Sequence, residues 1–287
     1  MDLPSESTDV SAASHVIGPA LRLGPGEAVT PALAGWSYLS FSIHTFTAPT
    51  VIGRTDHETA IVVLGGGGAR VDDLQLPGRT SVWEGLPSAA YLPPGFQAIL
   101  RPVGESLTVA VADAPSSGRA TADGIVRIGP EDILVEVRGA GNATRQINHI
   151  ITPDFPADRL EVVEVYTPSG NWSSWPPHKH DTDDMPNEAV LEEVYSYAFR
   201  RPEAWGIQRL YRADGSRDLL WAVRDGETVI VTDGYHPFVA THGEDAYYLN
   251  ALAGDQRTMA ASFDPNLVGI MDAWPSLDPD PRVPLVR

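Results

Sequence analysis

The sequence predicts an all-β protein built as two related barrels, and three observations carry that expectation. Gly 26 and Pro 25 in 287 residues imply many turns and few long helices. Short apolar runs recur between turn signals at the spacing of a sandwich or barrel. A strand, Gly-turn, strand unit in the first half also returns in the second. Chain length agrees, since 287 residues exceed one typical domain and suffice for two.

Taken in order, residues 1–14 are rich in Ser, Asp and Ala without periodicity, which predicts a disordered leader. From Leu21 onward, "WSYLSFSIHTF", "TAIVVLGGGGARV", "TSVWEGL", "AAYLPPGFQAIL" and "LTVAVAD" read as the strands of a first barrel over residues 15–120. The "GGGG" at 65–68 has no Lys-Ser/Thr after it and no helix expected behind it, so it reads as a turn between strands rather than a phosphate loop. "APSSGRATADG" marks the boundary. "ILVEVRG", "LEVVEVYTP", "EEVYSYAF", "GIQRLYR", "DLLWAVRDGETVIVTDGYHPFVA" and "DAYYLNALAG" then supply a second barrel over 121–265. Residues 266–287 read as an extended tail in which Ile270, Met271 and Trp274 pack against something.

The repeat lies in the turns. "YLPPGFQAI" lays on "IVTDGYHPF" with Gly95 on Gly234, Phe96 on Tyr235 and Gln97 on His236, both as strand, Gly turn, strand. Glu58 in "ETAIVVLGG" and Glu193 in "EVYSYAF" open comparable strands. The first barrel therefore looks like a copy without a polar centre.

Composition excludes several function classes. A net charge of −18 argues against a nucleic-acid partner, which needs clustered Lys and Arg. An anionic substrate would need a locally placed cation. No run of about 18 apolar residues occurs, and "MDLPSESTDV" is no signal peptide, so a soluble cytoplasmic protein without a membrane partner is expected. With Cys 0, any metal must be held by His and carboxylate.

The stretch "SSWPPHKHDTDDMPNEAVLEEVYSY" concentrates that chemistry. On a strand His178 and His180 share one face and Lys179 takes the other, so two imidazoles can reach one ion. Pro176 and Pro177 favour extended backbone at a barrel rim. In "LEEVYSY" only one glutamate can look inward. Glu193 shares its face with Leu191, Tyr195 and Tyr197, whereas Glu192, Val194 and Ser196 suit an outer face. His236, between a Gly turn and Pro237, is the fourth candidate. Three imidazoles and a carboxylate suit zinc, with Mn, Fe, Co or Ni as other options. Asp181, Asp183, Asp184 and Glu188 read as a solvated loop. Arg209 and Arg145 are candidates for holding a substrate carboxylate. Tyr195, Tyr248 and Asn250 lie on strands near the proposed site, and the choice of proton-transferring group stays open between Tyr195, Tyr248 and a metal-bound hydroxide.

The order Gly170, His178-x-His180, Glu193 and then His236 in a Gly turn resembles the two cupin motifs. More narrowly, "GNWSSWPPHKHD", "LEEVYSYAF", "QRLYRADGS", "AVRDGETVIVTDGYHP" and "DAYYLNALAG" are similar to the 5-deoxy-glucuronate isomerase family of myo-inositol catabolism, relatives of the 5-keto-4-deoxyuronate isomerases. The likeness covers nearly the whole chain, with Trp175 and the stretch after Phe263 as departures. It implies a bicupin of two tandem jelly-roll barrels. It also implies one divalent metal ion per chain on His178, His180, Glu193 and His236, and conversion of 5-deoxy-D-glucuronate to 5-dehydro-2-deoxy-D-gluconate. The expected partner is a small uronate-like substrate, with a homo-oligomer possible. An iron-dependent cupin dioxygenase and a non-catalytic sugar-acid-binding cupin are the alternatives.

Overall fold

The computed structural model describes residues 21–287, so the expected leader lies outside the described residues. The all-β reading holds. Among the described residues, helix is confined to Pro31–Ala34 and the 3-10 segments Pro130–Asp132 and Val268–Ser276. Every strand pairing is antiparallel, as expected where strands are joined by short turns.

An eight-stranded sheet forms the first barrel, its central path running through Ser40–Phe46, Leu107–Pro115, His57–Val71, Ala89–Leu92 and Val126–Ile128. The second barrel has a seven-stranded sheet in the order Arg22–Leu23, Thr228–Val231, Leu191–Phe199, Ala246–Gly254, Leu160–Thr167, Arg145–Ile151 and Leu134–Arg138. A four-stranded sheet of Trp172–Ser173, Phe238–Ala240, Trp205–Tyr211 and Asp218–Arg224 faces it. Val126–Ile128 thus still pairs in the first sheet, and the early Arg22–Leu23 pairs in the second.

The "GGGG" reading needs correction. These glycines lie inside the continuous strand His57–Val71, not in a turn. A register shift between Val63 and Gly65 bends the strand there. Gly66 has φ +111°, and a Cβ on it would come within 2.4 Å of the Ser106 carbonyl, so close backbone approach is what requires glycine.

Strand register also corrects the repeat. Glu58 pairs with Ala114 and Glu192 with Ala253, so the counterpart of Glu58 is Glu192 and that of Glu193 is Thr59. The two matched glutamates do the same work in opposite directions. Glu58 accepts the backbone N–H groups of Asp158, Arg159 and Leu160 at 2.7, 2.6 and 2.7 Å. Glu192 accepts those of Ser37, Tyr38 and Leu39 at 2.6, 2.9 and 2.7 Å. Each barrel therefore clamps the segment leading into the other. Glu192 is not on a solvated outer face, because that face packs against the first barrel. A shared apolar core holds Phe41, Val62 and Tyr91 together with Val162, Val194 and Leu249, and the buried pair Arg79–Glu164 crosses it at 2.8 Å.

The tail is not simply extended. Its first part is the 3-10 segment Val268–Ser276, where Ile270 stays 43% exposed. The last residues return to the second barrel, where the Gln146 side-chain oxygen accepts the Leu285 and Val286 N–H groups at 2.6 and 3.1 Å. No helix among the described residues is long and apolar enough to cross a membrane.

Candidate metal centre

The interior of the second barrel is set out in rows, because directly opposed residues on antiparallel strands share a face. One row crosses the sheet as Glu193, Leu252 and Glu161. The next runs Tyr195, Asn250, Val163 and His149, and a third runs Tyr197, Tyr248, Val165 and Ile147. Alternation along Leu191–Phe199 thus carries Glu193, Tyr195 and Tyr197 inward, as the sequence pattern requires.

At the Glu193 row, His180, Glu193 and His236 come together as a buried group whose ligand atoms lie within 4.8 Å of one another. The Glu193 Oε2 is 2.8 Å from His180 Nε2 and 3.4 Å from His236 Nε2. His178, the fourth expected ligand, stands beside that group and not in it, its ring 4.7 Å from that of His236 and 6.3 Å from that of His180. His178 and Lys179 form a two-residue strand paired with Ser262–Phe263.

Second nitrogens are already engaged. His180 Nδ1 lies 2.9 Å from the Leu191 carbonyl and His236 Nδ1 2.9 Å from the Gly234 carbonyl. Those carbonyls fix the rings with Nε2 pointing inward, the usual support for a ligating imidazole. Burial, reinforced by neighbouring cations and imidazoles, pushes His178 and His236 down to about 3, so both are neutral near pH 7. Burial is the largest effect on His180 too and opposes its charge, but the hydrogen bond and charge of Glu193 together with backbone hydrogen bonds more than offset it and raise its pKa. The buried His236 Nε2 has no hydrogen-bond partner among the described residues. A neutral, orphaned nitrogen beside a carboxylate is a donor set that a divalent cation would complete.

The acidic loop after His180 is a brace rather than a solvated run. Lys179 Nζ donates to Asp181 and Glu188 at 2.6 and 2.7 Å. Glu188 also accepts the N–H groups of Asp181 and Thr182, each at 2.8 Å. The other Asp181 oxygen accepts the Gly234 N–H at 2.7 Å, tying the HxH strand to the turn that presents His236. Against the opposing effect of burial, these donors hold Asp181 down to about 2. Asp183 and Asp184 stay exposed.

A pocket opens beside the cluster, lined by Arg145, Ser174, His178, Glu193, Tyr248 and Asn250 among polar groups and by Ile147, Val163, Val165 and Leu252 among apolar ones. Arg145 is 7% exposed, and its recorded side-chain bonds go only to the carbonyls of Ala143 and Trp175 at 3.2 and 3.1 Å. Burial lowers its pKa to about 10, the mark of a cation without a carboxylate beside it. Asn250 donates to the Val194 carbonyl at 3.0 Å. Tyr195 shares a 2.8 Å hydrogen bond with Ser174, and burial raises both Tyr195 and Tyr248. Arg209 does not join them. It lies outside, paired with Asp218 at 2.8 Å and stacked 4.0 Å over the Tyr211 ring.

Sequence reasoning missed Gln208, which donates to the carbonyls of His236 and Pro237 at 2.7 and 3.1 Å and accepts from Tyr197. It missed Ser174, which adopts φ +49°. No periodicity signals a single residue in such a turn.

Comparison with known proteins finds relatives along most of the chain. The family model described as the KduI/IolB family matches residues 24–270. A 5-deoxy-glucuronate isomerase of Geobacillus kaustophilus is 37% identical over 85% of this chain and 90% of its own length. One from Listeria innocua is 35% identical over 88% and 95%. Among solved structures, an IolB-like protein from Salmonella typhimurium LT2 superposes with TM-score 0.79 at 32% identity, covering 86% of this chain and 95% of that one. An oxalate decarboxylase of Lactobacillus farciminis superposes with TM-score 0.58 at 8% identity, covering 88% and 92%, which shows the shared cupin fold alone.

Proposed function

The chain belongs to the KduI/IolB family, and we propose that this isomerase converts 5-deoxy-D-glucuronate to 5-dehydro-2-deoxy-D-gluconate, an aldose-to-ketose step of myo-inositol catabolism in the cytoplasm. The observation that carries the reading is a relative named for that substrate at 37% identity across 90% of its length. The orphaned His236 Nε2 beside Glu193 supports cation dependence.

His178, His180, Glu193 and His236 would hold one divalent ion, with zinc as the first expectation. Such an ion polarises a carbonyl and the neighbouring hydroxyl and offsets the negative charge that develops there. The neutral His178 and His236 offer lone pairs without first losing protons. Arg145, buried and bonded among the described residues to the carbonyls of Ala143 and Trp175, suits the substrate carboxylate. Tyr248 and Asn250 line the same pocket and are assigned to orient the sugar-acid hydroxyls. Tyr195, held by Ser174, is assigned to keep that wall rigid. The first barrel, with Thr59 where the second has Glu193, is assigned a structural role.

The test is conversion of the deoxy-uronate by chelator-treated protein before and after one equivalent of zinc, manganese, ferrous, cobalt or nickel ion. Activity that vanishes and returns with a cation supports the reading. Silence with every cation overturns it. Oxygen uptake with ferrous ion would point to a dioxygenase instead.

A further inference from the structure

Glu161 is the buried acid in the barrel interior that no assignment above uses. It is 0% exposed, and neither carboxyl oxygen has a hydrogen-bond partner among the described residues. Its neighbour in the register is Leu252, whose other neighbour is Glu193. With strands spaced about 4.8 Å apart, the two glutamates stand on one inner row with their backbones roughly 10 Å from each other. Leu252 between them lines the pocket, as does Val163, the next inward residue along the strand of Glu161.

An acid with both oxygens open is costly in a purely structural position, where a leucine would fill the space without the desolvation penalty. The one nearby guanidinium does not bond to it, since the recorded Arg257 bonds go to the backbone carbonyls of Thr152, Phe155, Ala157 and Leu160. The charged or titratable groups whose electrostatics act on Glu161 are Arg257, His180 and Glu193. Glu161 does not itself line the pocket, but its cross-strand neighbour Leu252 and its strand neighbour Val163 do, so a proton would have to pass between pocket and carboxyl through a bridging water.

We propose that Glu161 is the group that exchanges the substrate proton during isomerisation, acting through a bridging water from the wall beside Glu193. This rests on the isomerase reading above. The C–H bond next to the substrate carbonyl breaks, its electron pair forms the C=C bond of the enediol, and the carbonyl π pair moves onto oxygen. The proton travels through the water to the Glu161 carboxylate. It is then returned to the former carbonyl carbon, which the C=C pair binds, while the adjacent hydroxyl becomes the ketone carbonyl by passing its proton to the former carbonyl oxygen, so no oxidant or reductant is needed. Burial raises the Glu161 pKa to about 7, against the pull of Arg257 and His180, which suits a group that must both take and give a proton near neutrality.

The experiment compares wild type with Glu161→Gln, each loaded with one divalent cation. Readouts are kcat and KM across pH, bound cation, and exchange of the substrate C–H with deuterated solvent. The amide keeps shape and neutrality but cannot carry the proton. The expected result is unchanged cation and KM, kcat lower by on the order of 100-fold, lost solvent exchange, and lost acid limb. A variant within twofold of wild type in kcat, with the same pH profile, overturns the proposal. Should that variant fail to fold, Glu161→Asp decides. Setting the carboxyl back by one methylene must lower kcat and move the acid limb, and an unmoved profile overturns the proposal. A wild type silent with every cation overturns the isomerase reading and this inference together, whereas an active wild type beside an unimpaired variant overturns this inference alone.

Discussion

Replacing Glu58 with Gln tests the clamp between the barrels without touching the candidate metal site. One Glu58 oxygen accepts from Arg159 and Leu160, and the other from Asp158 and the Tyr91 hydroxyl. An amide keeps the first pair of bonds and turns an NH2 group toward the second. Tyr91 can rotate its hydroxyl to accept, but the buried Asp158 N–H cannot, and an unsatisfied buried donor costs about 1–3 kcal/mol. The two surviving bonds lose their charge assistance, about 1 kcal/mol each. The sum is a loss of about 3–5 kcal/mol. In a chain of this size each kcal/mol moves the midpoint by about 2–4 °C, so Tm should fall by roughly 10 °C. Thermal unfolding followed by tryptophan fluorescence, with bound cation measured alongside, reads both consequences. A fall of less than about 2 °C, or a loss of bound cation from the folded variant, would refute the clamp as described.

Three further outcomes are expected. His236→Ala should remove most bound cation while circular dichroism stays that of a β protein; unchanged stoichiometry would contradict the ligand set. Arg145→Met should raise KM by at least about tenfold, the scale of one charge-assisted pair, while Arg209→Ala, altering a group outside the pocket, should leave KM within about twofold. The reverse pattern would relocate the substrate carboxylate. In the cation-free protein, stability should decline as pH drops from about 6.5 toward 3. Unfolded imidazoles take up protons near 6.5 whereas folded His178 and His236 stay neutral until about 3, so the unfolded state binds more protons in that window. The raised His180 and Glu161 act in the opposite sense above about pH 5, so the decline is read below it, and urea midpoints that do not fall between pH 5 and pH 4 would contradict the buried neutral state.

Period two along "LEEVYSY" tells which side chains share a face, so the inward turn of Glu193 was legible, and the structure brings His180 and His236 to it as a group that could hold a metal. The same alternation misjudged Glu192. It reports two faces but not what covers the outer one, and here a second barrel does. For that reason Glu58 was matched with Glu193 instead of Glu192, a one-residue slip that the ladder register resolves. Charge runs mislead similarly. Glu188 and Asp181 look like solvated loop residues until the Lys179 and Gly234 partners are known. Both arginines had equal standing in the sequence, and only tertiary packing buries Arg145 and leaves Arg209 paired outside. Glu161 carried no signal at all, being one acid in the run "LEVVEV" whose two faces are both buried.

Diffraction recorded at the absorption edge of the bound metal, from crystals of the cation-loaded protein, tests the central claim most directly. The account predicts one anomalous peak per chain, about 2.0–2.2 Å from His180 Nε2, His236 Nε2 and a Glu193 oxygen, with His178 completing the set. A peak elsewhere, or the four side chains turned away from one another around a dry apolar centre, would contradict it.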